Sequence, residues 1–236
     1  MFDVRKNRKL FVAAALMSIA RPTHAGPRVE VGGYVGGTST TILQTFECPP
    51  PATSVDACVT SAEPHDGEAR GASVGAYARF AVVRTLQLEA NLMYSRKGYA
   101  GSSDVRMHYL EAPIMLRLDP LRDRSHARVF AYAGLAPALL LRCHASGTRF
   151  DNDTREVVPY SDPCGSWPFY PRAPNRIDLG GVVGGGVGWE LPFGMIELHA
   201  RYIEGLVDNG AWGDGGKTVS KAFYVLAGYG RTIGKP

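Results

Sequence analysis

The chain has 236 residues, with 26 Lys or Arg and 22 Asp or Glu, for a formal net charge of +4. Five of the basic residues (Arg5, Lys6, Arg8, Lys9, Arg21) and one of the acidic (Asp3) fall in the first 25, which leaves 21 of each in the remainder. That balance gives no footing for a nucleic-acid partner, and the lack of an eighteen-residue apolar run beyond the start excludes a transmembrane helix.

The N-terminus reads as an export signal. A basic stretch (Arg5 to Lys9) precedes a short apolar core, Leu10 to Ala20, and Thr23-His-Ala25 supplies small residues at the positions a signal peptidase reads. Residues 1–25 are expected to be a cleaved signal peptide and 26–236 the mature domain. Export suits the four cysteines. Cys48 and Cys58 lie ten apart and Cys143 and Cys164 twenty-one apart, without the close spacing of a zinc site. Of the three connectivities that four cysteines allow, the two local pairs are the first choice.

Period-two alternation then recurs along the chain. The first strand, Val29 to about Thr38, sets Val29, Val31 and Val35 against Glu30, Gly32, Tyr34 and Gly36. Ser73–Val82 puts Val74, Ala76, Ala78, Phe80 and Val82 on one face, with Ser73, Gly75, Tyr77 and Arg79 on the other. After the turn Val83-Arg84-Thr85, the stretch Leu86–Tyr94 separates Leu86, Leu88, Ala90, Leu92 and Tyr94 from Gln87, Glu89, Asn91 and Met93. Val105–Leu118 carries Leu110, Ala112, Ile114, Leu116 and Leu118 against Tyr109, Glu111, Met115 and Arg117. Val129–Arg142 opposes aliphatic residues to Phe130, Tyr132, Gly134 and Arg142, and Leu179–Leu191 opposes them to Asp178, four glycines and Glu190. Ile196, Leu198, Ala200 and Tyr202 face away from Glu197, His199 and Arg201, and a last strand spans about Ala222–Ile233. That makes eight strands.

The connections alternate long and short. Thr41–Arg70, Lys97–Asp104, His144–Asn175 and Val207–Lys217 are the longer ones, and they fall at one rim of an up-and-down arrangement together with both cysteine pairs. The others are the tight turn at Val83-Arg84-Thr85, the polar turn Asp119–His126 and the tight turn Pro192-Phe-Gly194. This asymmetry is that of an outer-membrane barrel with short periplasmic turns and longer outer loops. The expected fold is all-β: an eight-stranded antiparallel up-and-down transmembrane β-barrel.

Lipid offers no hydrogen bonds, so a spanning sheet must close on itself with its aliphatic face outward. The interior of an eight-stranded barrel is only wide enough for side chains. Inward charges must then pair with one another. Glu30, Arg79, Glu89, Glu111, Arg117, Arg142, Asp178, Glu190, Glu197, His199 and Arg201 are expected to form an interior charge network. The glycines at 180, 184, 186 and 188 leave room for long side chains opposite. Pro113 and Pro137 each remove a ladder hydrogen bond, so a bulge or break is expected at one or both.

Gln87-Leu-Glu-Ala90 through Tyr94-Ser-Arg-Lys-Gly98 resembles the ELLYSQKG stretch of the PorT-like outer-membrane β-barrel family, and Tyr109-Leu-Glu-Ala-Pro113 resembles its YLEIP segment, with Ala112 in place of Ile. Tyr132-Ala-Gly134, Gly186-Val-Gly188 and Arg201-Tyr-Ile-Glu-Gly-Leu206 fit later family positions. The resemblance spans most of residues 28–233 and implies an eight-stranded barrel in the outer membrane of a Gram-negative bacterium. It implies little about activity, beyond the founding example's link to protein secretion. The chain departs from the pattern in ending Arg231-Thr-Ile-Gly-Lys-Pro236 rather than on an aromatic residue, and in its paired loop cysteines.

No catalytic, cofactor or metal site is expected. Glu197, His199 and Arg201 share one strand face, but alternation turns them into the lumen rather than toward an opening where substrate would meet them. The segment Pro159–Pro171 holds Tyr160, Trp167, Phe169 and Tyr170 among its prolines and is the candidate loop recognition surface. The partners expected are outer-membrane lipid and an envelope protein engaged through the outer loops. The functional expectation is a structural or interaction protein with a plugged lumen. The alternatives are a small-solute channel and a soluble, lipocalin-like calyx, which would turn its aliphatic faces inward.

Overall fold

Residues with a two-residue apolar period can satisfy their backbone only by pairing sideways, and here every strand of the barrel wall finds two neighbours. The computed structural model describes residues 29–46, 68–100, 103–121, 126–151, 155–164, 166, 174–207 and 216–233. The proposed signal segment, Cys48, Cys58, Trp167, Phe169 and Tyr170 lie outside the described residues.

The strands are β1 (Val29–Phe46), β2 (Ala69–Val83), β3 (Leu86–Tyr99), β4 (Ser103–Glu111), β5 (Ile114–Leu118), β6 (Ala127–Asp151), β7 (Glu156–Pro163), β8 (Ile177–Leu191), β9 (Gly194–Gly205) and β10 (Gly216–Ile233). All pairings are antiparallel. β4 and β5 together serve as one barrel strand between β3 and β6, and β7 pairs only with the upper part of β6. With β1 bound to both β2 and β10, the eight remaining units close into a barrel without an edge.

The break between β4 and β5 has one cause made of two prolines. The register is the same on both sides of it, since Glu111 pairs with Ala138 and Ile114 with Leu135. Ala112 therefore faces Pro137. The Ala112 amide donates to the Pro137 carbonyl at 2.8 Å, and the Asn91 amide donates to the Pro113 carbonyl at 2.9 Å. Neither proline has an N–H to return the bond. The ladder thus loses two donors at one height, one toward each neighbour, and resumes unshifted.

Which way each face points is settled by exposure. Leu116, Ile114, Leu92, Val74, Leu135 and Val183 are all more than half exposed, whereas Glu89, Glu111, Arg117 and Arg201 are 0% exposed. The aliphatic faces point outward, which overturns the soluble calyx. Inside, tyrosines lie over glycines of the next strand: Tyr34 faces Gly75 and Tyr132 faces Gly184. A Cβ on Gly184 would stand 2.6 Å from Tyr132 Cε2, so the ring occupies the space that glycine leaves.

Several strands run further than alternation alone predicts: β1 continues past Thr38 to Phe46, and β10 begins at Gly216 rather than near Ala222. β3 continues past Tyr94 to Tyr99 and β4 begins at Ser103, so the connection read as Lys97–Asp104 is three residues long. β6 and β7 form a hairpin that continues the barrel wall beyond the rim. At its base Cys143 and Cys164 are bonded, with Cα atoms 5.3 Å apart.

Candidate functional site

The lumen holds the densest chemistry of the molecule. Arg79, projecting inward from β2, is the hub. Its Nε donates to Glu89 Oε2 on β3 at 2.6 Å, and its Nη1 donates to Glu30 Oε1 on β1 at 2.7 Å. Its Nη1 also reaches Glu197 Oε1 on β9 at 2.9 Å, and Nη2 bonds the other oxygen of the same carboxylate. This is a bidentate pair, the geometry in which a guanidinium binds a carboxylate most strongly.

Glu197 receives a second guanidinium. Arg117 Nη2 on β5 donates to Glu197 Oε1 at 2.5 Å, and Arg117 Nη1 lies 3.6 Å from Glu89 Oε2. Arg117 also stacks on Phe130, 3.4 Å from the ring centroid, and Arg79 on Tyr77 at 3.9 Å. Because β9 lies three strands away from both β2 and β5 around the barrel, these contacts cross the lumen instead of running along its wall.

Above this layer Arg201 lies 3.9 Å from Glu89 and 3.4 Å from Asn91 Oδ1. His199 Nδ1 meets the Tyr132 hydroxyl at 3.0 Å and is boxed by the rings of Tyr34, Phe130 and Tyr132. Nearer the rim of long connections, Lys97 Nζ lies 2.5 Å from Glu111 Oε1, which also accepts from Ser95 at 2.7 Å and Tyr224 at 3.0 Å. Asp178 is buried and accepts from Ser220 Oγ at 3.3 Å. An apolar layer of Val105, Met107, Tyr109, Ala138 and Leu140 then closes the lumen under the hairpin.

Two expected members do not belong. Arg142 is exposed, not inward. On β6 the register slips between the pairs His108–Arg142 and Tyr109–Leu140, so Leu141 is an extra residue. This bulge leaves Leu141 and Arg142 both facing outward, while Leu140 turns in. Glu190 sits at the mouth of the barrel with a half-exposed side chain, paired to Arg128 Nη2 at 2.9 Å, and is not in the network.

Alternation also overlooks two buried cations, Lys97 in the lumen and Arg128 at its mouth. Lys97 keeps the inward parity of Met93 and Ser95, but Arg96-Lys-Gly98 reads as the start of a turn. Arg128, buried at the tight-turn mouth near Asp119 (3.7 Å), precedes the inward Phe130 by two, and that parity was the available signal. Tyr160 on β7 is buried, so it is not an exposed loop aromatic. Among the described residues no cluster of His, Cys, Asp and Glu is arranged to hold a metal ion.

A closed antiparallel barrel with a lipid-facing aliphatic surface and a packed, charged interior defines a class: small transmembrane barrels. Residues 20–209 match the family described as the outer membrane protein beta-barrel domain, and the chain belongs to that family. It is a protein of the Gram-negative outer membrane. Among solved structures the chain is similar to Neisserial surface protein A, at 15% identity over 85% of this chain and 97% of that one, with a TM-score of 0.42. It is similar to OprG from Pseudomonas aeruginosa, at 10% identity over 89% and 97%, with a TM-score of 0.47. It is also similar to Ail of Yersinia pestis, at 12% identity over 86% and 99%, with a TM-score of 0.39. No curated protein matches the sequence at a significant level.

Proposed function

We propose that this protein is a non-catalytic barrel with a closed lumen, which anchors its long connections in the outer membrane for contact with an envelope partner. The observation that carries this reading is the joint hold of Arg79 and Arg117 on Glu197 across the lumen. Side chains bonded wall to wall leave no continuous aqueous path, and an eight-stranded barrel has no width to spare. This favours a plug over the small-solute channel. The PorT-like resemblance of Tyr94–Gly98 and Tyr109–Pro113 makes a role in secretion the finer reading. The export signal, cleaved before Gly26, and the Cys48–Cys58 bridge belong to the same proposal.

Planar-bilayer recording of the refolded protein tests it. The wild type is expected to give no steady conductance, whereas a double variant, Arg79→Ala with Glu197→Ala, opens an ion-sized path. Steady single-channel openings of the wild type would sink the plug and favour the channel.

A further inference from the structure

Some outward charges on this barrel are paired. Arg70 lies beside Glu68, and Lys221 beside Glu204 at 3.0 Å. On the β3–β4–β6 wall, three arginines have no carboxylate partner among the described residues: Arg96, Arg106 and Arg142.

Register brings them together. Arg96 pairs with His108 and His108 with Arg142, so the three side chains form one row across three strands. Arg106 pairs with Gly98 and with His144, one outward step higher. Met107 and Tyr109 are buried, which puts Arg106 and His108 on the outer face. The bulge at Leu141 is what adds Arg142 to this row. The nearest carboxylate along β4 is Asp104, one outward step beyond Arg106.

The height of the row matters. Below it the outward residues are Leu86, Leu88, Ala90, Leu92 and Tyr94 on β3, and Leu118, Leu116, Ile114, Ala112 and Leu110 on β5 and β4. Eight residue steps at about 3.3 Å, tilted by roughly 40°, span about 20 Å, close to the usual apolar band of such barrels. The arginines therefore begin where the hydrocarbon ends, on the side of the long connections. Tyr94, hydrogen-bonded to His108, stands at that boundary as an interfacial aromatic.

We propose that Arg96, Arg106 and Arg142 form a binding site for the phosphate groups of a phosphorylated glycolipid in the outer leaflet. Guanidinium forks match phosphate oxygens in pairs, and two adjacent strands plus the bulge present several forks at one level. The aliphatic band beneath supplies the contact for the acyl chains. This rests on the outward placement of the long connections, which surface labelling tests independently.

The test is native mass spectrometry of the refolded full chain in neutral detergent, titrated with bisphosphorylated lipid A. The dephosphorylated lipid is titrated in parallel, and inorganic phosphate is added as competitor. The wild type is expected to prefer the phosphorylated lipid. Each cation at an anionic surface contributes about fivefold, so Arg96→Gln with Arg142→Gln should weaken binding roughly 30-fold. Arg106→Gln alone should weaken it about fivefold, and this serves if the double variant folds poorly. Arg70→Gln, whose side chain is already paired, should leave binding unchanged. Equal affinity for both lipids, or an unaffected double variant, overturns the site. Competition by inorganic phosphate at the lipid's own affinity overturns the lipid assignment.

Discussion

Arg117 and Glu197 meet at 2.5 Å although their strands, β5 and β9, share no ladder. The bond crosses the lumen, so each of these residues is held in place by a strand three places away around the barrel. Glu197→Ala should leave Arg117 with only Glu89 at 3.6 Å and remove the bidentate partner of Arg79. Losing one member of a buried ionic network costs about 3–5 kcal/mol. Equilibrium unfolding in urea from lipid vesicles checks this. Glu30→Ala, at the edge of the network, is expected to cost less, and the reverse order would show that Glu197 is not central.

The two faces of β5 predict opposite sensitivities. Leu116→Arg places a charge in lipid and should destabilise the barrel by about 2–4 kcal/mol near the bilayer centre. Leu116→Phe should be nearly neutral. Folding yields in bilayers, followed by heat-modifiable gel mobility, report both. A harmless Leu116→Arg would contradict the outward face.

Gly184 is required both by the carbonyl of Ala200 and by the ring of Tyr132, which a Cβ would meet at 2.5 and 2.6 Å. Gly184→Leu forces that ring from its place and with it the hydroxyl that meets His199, at a cost of about 1–3 kcal/mol for overpacking. Removing the ring as well, in Gly184→Leu with Tyr132→Gly, should recover only part of the loss, because the Ala200 carbonyl still stands 2.5 Å from the new Cβ. A double-mutant cycle showing strict additivity would argue against the contact.

The Cys143–Cys164 bridge closes the base of the β6–β7 hairpin. A cross-link of this span contributes about 3 kcal/mol at most in the chain-entropy view. Reduction should therefore leave the barrel folded while the hairpin becomes protease-sensitive, as limited proteolysis with and without reductant will show. Loss of heat-modifiable mobility on reduction alone would mean that the bridge supports the whole barrel.

Single cysteines at Asp104 and Ser161 should react with an impermeant maleimide on intact cells, and cysteines at His126 and the exposed Phe193 should not. The reverse pattern would invert the topology.

The outward and inward sets were legible because a strand between lipid and a packed lumen has only two choices per residue. Leu116 and Arg117 show how sharply adjacent positions divide. Parity fails where the residue count changes. The extra Leu141 reverses everything after it, so Arg142 was assigned to the wrong side, and nothing in Leu139-Leu-Leu-Arg142 marks which leucine is surplus. Lys97 was missed for a different reason: the strand outlasts its apolar residues, and Arg96-Lys-Gly98 carries the polarity of a turn while keeping the geometry of a ladder. The prolines were legible singly as obstacles. That Pro113 and Pro137 interrupt the same place depends on register between strands, which a single chain does not spell out.

β1 and β10, eighteen residues each, pair along their whole length from Val29–Ile233 to Phe46–Gly216. The seam that joins the two ends of the barrel is thus its longest ladder, and it is also the one most distant in sequence. Such a contact pays its loop-closure entropy before any of its bonds reward it, so its formation belongs late in folding. Once zipped, it must open over most of its length before either terminal strand can leave. The barrel is therefore slow to complete and slower to come apart, and its lifetime in the membrane is set by one seam.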